Sequence, residues 1–180
     1  MGRLRELVAR SLSTSDSPAL DALILLETAS SRSREDLLAE FRTPATRLLS
    51  AATLDRLSSL VERRRRGDPI AYITGTKEFF GYEFAVGPGV LVPRPETEHL
   101  VDEGLRLLAR HSHAVIHDAF TGTGCVGITL ARERAARGAT TRLMLSDHDP
   151  TAIVWAERNA ARLLQGIAEI NYSVERADVL

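Results

Sequence analysis

From Ala114 onward, short apolar runs alternate with helix-length segments, and this alternation constrains the fold more than any other feature. Ala114–Asp118 has the pattern of a short buried strand. A glycine-rich turn then opens a helix near Gly124–Arg137. Arg142–Ser146 is a second strand, Asp149-Pro150 starts a helix that runs to about Leu164, and Ile170–Val174 is a third strand. Strands separated by helices predict a parallel α/β sheet.

The residues before Ala114 read differently. Leu4, Leu7, Val8 and Leu12 recur at helical spacing. Ser17-Pro18 has the form of an N-cap followed by proline at the first helical position, with Leu20, Leu23, Ile24 and Glu27 after it. Ser33 caps a third helix carrying Leu37, Leu38 and Phe41. Thr43-Pro44 repeats the signal and opens a segment with a Leu54, Leu57, Leu60, Val61 stripe, which Gly67-Asp68-Pro69 stops. About four helices are predicted. Between 70 and 95, Phe80, Tyr82, Phe84 and Val86 alternate at strand period, punctuated by Gly75, Gly81, Gly87 and Gly89, which predicts a β-hairpin. Val90-Leu91-Val92 follows as a short apolar run. A helix from about Glu96 to Arg110 then carries Leu100, Val101, Leu105 and Leu108 on one face. The predicted organisation is a helical domain over 1–67, a hairpin linker over 68–95 and part of an α/β domain over 96–180.

Composition excludes several classes. With 44% apolar and 26% charged residues over 180 positions, the chain is neither disordered nor fibrous. The longest uncharged apolar stretch, Ala22–Leu26, is far below the roughly 20 residues of a membrane span. Met1–Arg10 lacks the apolar core of a signal peptide, so a cytoplasmic location is expected. A single cysteine, Cys125, excludes a disulfide framework. Of 23 basic residues, all but Lys77 are arginine. Residues 1–67 carry 12 Arg against 9 acids, and residues 68–180 carry a net −4. Neither part is basic enough to make direct nucleic-acid binding the leading expectation.

Asp118-Ala119-Phe120-Thr121-Gly122-Thr123-Gly124-Cys125-Val126-Gly127 joins the first strand of the α/β part to its helix. Glycines there let backbone N–H groups approach a ligand at a positive helix end. The next strand ends in Asp147, 20 residues after Gly127, where a carboxylate can accept hydrogen bonds from a ribose diol. Three readings fit this spacing: an S-adenosylmethionine site, a dinucleotide site, or a tight turn without a ligand. Asp118 favours the first on charge grounds, because it opposes a pyrophosphate and suits an ammonium group.

Longer segments carry a resemblance. Arg65-Arg66-Gly67-Asp68-Pro69-Ile70-Ala71-Tyr72-Ile73-Thr74-Gly75, Glu78-Phe79-Phe80-Gly81 and Val90-Leu91-Val92-Pro93-Arg94-Pro95-Glu96-Thr97-Glu98 occur in order, after an early Leu20-Asp21-Ala22-Leu23-Ile24-Leu25-Leu26. Over essentially its whole length the chain resembles the release-factor glutamine methyltransferases, the HemK-type enzymes. The resemblance implies methyl transfer from S-adenosylmethionine to the side-chain amide of the glutamine in the Gly-Gly-Gln loop of peptide-chain release factors. It implies a Rossmann-like sheet, a helical domain that engages the release factor, and a monomer if complete. By position it implies that Phe120, Thr121, Gly122, Thr123 and Gly124 line the methionine end of the cofactor and that Asp147 takes the ribose. Asp178 is implied near the adenine, with Val179 beside it, and Asp118 near the ammonium group.

The chain departs from the family in three places. Phe120 stands where the family usually has glycine, so its side chain is expected to crowd the turn. Cys125 and Val126 are benign. The family's Asn-Pro-Pro-Tyr motif, which holds the substrate amide, occurs nowhere in 1–180. No catalytic residue is therefore assigned, and residues 1–180 alone are expected not to turn over. With three readable strands of a seven-stranded family fold, the first strand is expected to expose an edge carrying Val115 and Ile116. The alternatives are a non-catalytic truncated binding remnant and an NAD-type oxidoreductase.

Other residues draw structural readings. Arg63–Arg66 suit a solvated helix C-terminus. His111, His113, His117 and His148 lack metal-ligand spacing, so no metal is expected. Cys125 and Trp155 are expected to pack, and the Phe79–Phe84 aromatics to form a hairpin packed on the helical bundle. Arg94, Glu96 and Glu98 lie near the pocket without an assigned role.

Overall fold

The computed structural model describes residues 1–12, 15–40 and 42–178. It divides into two compact units, Met1–Thr74 and Gly75–Leu180.

The first unit is helical: α1 (Gly2–Ser11), α2 (Pro18–Ser30), α3 (Arg34–Ala39), α4 (Ala45–Leu48), α5 (Ala51–Arg65) and α6 (Ile70–Thr74). Leu12, Leu25, Leu26, Leu37 and Leu57 are fully buried in its core. The predicted caps fare unequally. Ser33 accepts from the Asp36 N–H, as expected, whereas the Ser17 side chain makes no capping bond. The helix predicted from Thr43-Pro44 is two helices. The chain turns extended at Leu49, and Ser50 caps α5 by accepting from the Thr53 N–H. Five helices rather than about four thus fill residues 1–67 among the described residues. Leu20 and Leu38, assigned to apolar faces, are nearly half exposed, and Phe41 lies outside the described residues.

Helix α5 ends as the glycine signal predicts. Gly67 is left-handed (φ 98°), its N–H bonds to the Arg64 carbonyl, and the Asp68 N–H bonds to that of Arg63. The arginine run is not simply solvated. Arg64 donates from Nε to the buried Asp21 carboxylate at 2.7 Å and from Nη1 to the Asp68 carbonyl. Ser15 donates to the same Asp21 oxygen at 2.7 Å. Arg63 holds Asp68 at 2.9 Å and the Tyr72 carbonyl at 3.2 Å. These two side chains tie α5 to α2 and to the segment that follows it.

The second unit opens with an antiparallel hairpin, β1 (Thr76–Phe79) and β2 (Tyr82–Ala85). Phe80 (φ 53°) and Gly81 (φ 76°) form a two-residue turn with both residues left-handed, the geometry that matches strand twist. Phe80 is therefore the turn and not the strand. Phe79 instead joins Phe84 in the core, edge to face at 6.1 Å. The hairpin's aromatics are part of the core of the α/β unit. Val90-Leu91-Val92 forms no strand; Val90 is buried and Leu91 exposed.

After a 3-10 turn at Pro95–Thr97 come α7 (Glu98–Leu108), β3 (His113–Ala119), α8 (Cys125–Ala135), β4 (Thr140–Asp147), α9 (Pro150–Leu164) and β5 (Ile170–Arg176). The three strands are parallel in the order β3-β4-β5, as the alternation predicts. Val101, Leu105, Ile128, Ala131, Ala156 and Ala160 bring all three helices onto one sheet face, over Leu143 and Leu145. Leu100, predicted on the apolar face of α7, is 61% exposed. On the other face Val115, Arg142 and Asn171 lie side by side and exposed. Among the described residues β3 pairs only with β4, which makes it an edge strand of this sheet, as expected; Val115 is 72% exposed and Ile116 half-buried. Trp155 is half-buried rather than core, with Arg158 over its ring at 5.5 Å.

Candidate cofactor site

Parallel strands end together, so residues following β3 and β4 converge at one end of the sheet. The chain leaves β3 through Phe120, Gly122 and Gly124, all left-handed with φ of 58°, 56° and 80°. Asp118 anchors this turn. Its Oδ2 accepts from the Thr121 hydroxyl at 2.8 Å and from the Gly127 N–H at 2.9 Å. Burial pushes the Asp118 carboxyl above the usual carboxylate range, and the nearby Asp147 charge adds to this against the pull of those two hydrogen bonds. Gly127 allows the contact. A Cβ there would lie 2.8 Å from Leu145 and 2.9 Å from Asp118.

Asp147 lies behind the turn. Its Oδ2 accepts from the Gly122 N–H at 3.0 Å and its Oδ1 from the Asp149 N–H at 3.0 Å. The Thr121 N–H bonds to the Ser146 carbonyl at 3.0 Å, so the turn after β3 is fixed to the end of β4. Asp149 caps α9 by accepting from Thr151.

A cavity of about 250 Å³ opens in front of the turn. Asp118, Phe120, Thr121, Gly122 and Thr123 line it together with Arg94, whose carbonyl accepts from the Thr97 N–H at 3.0 Å and whose guanidinium makes no ion pair among the described residues. Gly124 sits at the helix start below, where the Ile128 N–H reaches its carbonyl. Asp147 is 7% exposed and does not line this cavity. Asp178 is exposed, next to Ala177, whose N–H bonds to the Asp147 carbonyl; Val179 lies outside the described residues. Phe120 does not fill the turn. Its side chain is 55% exposed and forms part of the cavity wall. Burial pushes the Cys125 thiol up to about 11, so it packs as an uncharged side chain.

Sequence reasoning missed Asn159. This residue of α9 is fully buried, and its amide donates to the Ala85 and Thr123 carbonyls at 3.0 and 2.9 Å while accepting from the Ala85 N–H at 2.8 Å. It joins the hairpin to the glycine turn. Its signal was present: a polar residue on the Ala152, Ala156, Ala160 face of α9. Glu98 also acquires a role, because its carboxylate accepts from the Phe80 N–H at 3.0 Å.

Comparison with known proteins bears on what this geometry serves. Residues 3–75 match the PrmC N-terminal domain. A protein of Nitratidesulfovibrio vulgaris named release factor glutamine methyltransferase is 43% identical over 154 residues, covering 86% of this chain and 48% of its own. The chain is a relative of the release factor glutamine methyltransferases. Proteins of that name from Escherichia coli and Koribacter versatilis are 38% and 40% identical, over 89% and 82% of this chain. The chain spans about half the length of the curated relatives it matches. In this methyltransferase relative the helical match covers the first unit, and the parallel sheet has the architecture of the first half of a Rossmann-like methyltransferase. No helix among the described residues is long and apolar enough to cross a membrane.

Proposed function

We propose that the chain contributes the S-adenosylmethionine site and the release-factor-binding domain of a cytoplasmic glutamine methyltransferase. The observation that carries this reading is the pairing of a left-handed glycine turn after β3 with Asp147 after β4, joined at 3.0 Å. Two carboxylates, the half-buried Asp118 and the buried Asp147, oppose the pyrophosphate of a dinucleotide and suit a ligand with an ammonium and a sulfonium group. Arg94, on the same wall and with no ion-pair partner for its guanidinium among the described residues, supplies the counterion for that ligand's one carboxylate.

S-adenosylmethionine supplies an electrophilic methyl group on sulfur. The residues do the rest by positioning. Phe120, Thr121, Gly122, Thr123 and Gly124 face the methionine end. Asp147, held rigid by two backbone donors, keeps lone pairs for the ribose hydroxyls, and Asp178 and Val179 border the adenine. Residues 1–67 engage the release factor, residues 68–95 link the two parts, and residues 96–180 supply this half of the cofactor domain. Transfer also requires groups that hold the glutamine amide with its nitrogen lone pair toward the methyl group. No residue of 1–180 is assigned to that task.

The test is to incubate the whole gene product with methyl-labelled S-adenosylmethionine and a release factor, and to map the label by mass spectrometry. Label on the Gly-Gly-Gln glutamine supports the proposal, and the polypeptide of residues 1–180 supplied alone should bind S-adenosylhomocysteine without turnover. Saturable binding of NADH but not of S-adenosylhomocysteine would replace it with the dinucleotide reading.

A further inference from the structure

The opposite end of the sheet carries a second cavity, of about 300 Å³, between the ends of α7 and α8 and the starts of β3 and β4. Arg110, Arg134, Arg137 and His111 line it, and no acidic residue does. Arg134 is 3% exposed. It donates from Nε to the Thr141 hydroxyl at 3.1 Å, from Nη1 to the Leu108 carbonyl at 3.1 Å, and from Nη2 to the His111 and Thr140 carbonyls at 3.0 and 3.3 Å. Four of its five N–H groups are thus spent on neutral acceptors, and its charge has no carboxylate beside it.

The carbonyl ends of α7 and α8 offset part of that charge. They do not account for the other two arginines. Arg110 is exposed and makes no hydrogen bond or ion pair among the described residues. Arg137 reaches Glu133 only at 4.0 Å, and the other oxygen of Glu133 already accepts from the Tyr82 hydroxyl at 2.7 Å. A buried fixed guanidinium, flanked by exposed Arg110 with no ion-pair partner among the described residues and by Arg137 held only at 4.0 Å, on an acid-free wall, concentrates positive charge where an anion fits. Guanidinium forks match phosphate oxygens in pairs.

We propose that this cavity binds a phosphate group, with Arg110 and Arg137 as the contacting residues and Arg134 as the fixed charge behind them. The cavity lies across the sheet from the turn that follows β3 and does not depend on what that turn binds.

The test uses the full chain, labelled with ¹⁵N, titrated with pyrophosphate at constant ionic strength set by chloride. Saturable shifts of the Arg134 Nε–H and of the Gly138 and Ala139 amides are expected. In a chain carrying both Arg110→Ala and Arg137→Ala, affinity should fall by about tenfold or more, while S-adenosylhomocysteine binding stays unchanged. Both substituted side chains are exposed, so the fold is retained. Shifts that rise linearly without saturating, or that are the same in the double variant, would overturn the proposal. A parallel titration with a short single-stranded RNA names the source. Tighter binding of the RNA assigns the site to a polynucleotide backbone, and tighter binding of pyrophosphate to a small phosphorylated ligand.

Discussion

The α/β unit contains two turns that place a phenylalanine in the left-handed region, and they are held in different ways. Phe80 (φ 53°) is half-buried, and the turn's two N–H groups are accepted by Glu98 at 3.0 Å and Glu78 at 2.7 Å. Phe120 (φ 58°) is largely exposed, and its turn is held from behind by Asp118 and Asp147, leaving the ring on a cavity wall. A non-glycine residue in this region costs on the order of 1–2 kcal/mol. In the hairpin that cost is offset by core packing and two carboxylate acceptors. In the turn after β3 the ring is 55% exposed on a cavity wall, so packing offsets less of that cost than it does for Phe80.

The comparison makes predictions of decreasing size. Gly127→Ala drives a Cβ into Leu145 and Asp118 and should cost about 2–3 kcal/mol in urea unfolding, because it strikes the carboxylate that holds the turn. A loss below about 0.5 kcal/mol would show that Asp118 does not hold it. Glu98→Ala leaves the Phe80 N–H without its acceptor and should cost about 1–2 kcal/mol, with Glu98→Gln recovering most of the loss. Equal losses in both variants would mean that the charge, not the hydrogen bond, supports the hairpin.

Asp118 sharpens the contrast through pH. Its carboxyl is raised by burial, so the folded chain holds this proton more tightly than the unfolded chain. Its contribution to stability is therefore greatest at low pH and declines as pH rises from the ordinary carboxylate pKa through the raised folded one. Asp118→Asn should remove this decline, which a series of unfolding curves from about pH 4 upward would reveal as a flatter profile. The smallest effect belongs to Phe120→Gly. Relief of strain and the added freedom of the unfolded chain nearly cancel, so stability should change by less than about 1 kcal/mol. Phe80→Gly should cost more, because that ring packs on the core.

How much of this was legible in sequence depends on which atoms carry the information. The parallel order β3-β4-β5 follows from strand–helix alternation, and Gly67 announces the end of α5 because only a left-handed residue completes its carbonyl bonds. The hairpin was legible but its phase was not. Phe80, Tyr82 and Phe84 alternate in sequence, yet the turn consumes Phe80, and only burial reveals Phe79 as the core residue. Asn159 and Glu98 were read poorly because their partners, Ala85, Thr123 and Phe80, are distant in sequence and are reached through backbone groups that no side-chain pattern marks. The Arg64–Asp21 pair escaped for the same reason, since 43 residues separate the partners.

The turn after β3 and Asp147 are proposed to form one site for S-adenosylmethionine. Calorimetric titration of S-adenosylhomocysteine into the chain and into its Asp147→Asn variant tests it most directly. Saturable binding that weakens by about 10- to 100-fold in the variant is predicted, the loss of hydrogen bonds to a charged acceptor. Absence of binding to the unsubstituted chain, or equal affinity in the two, would contradict the account.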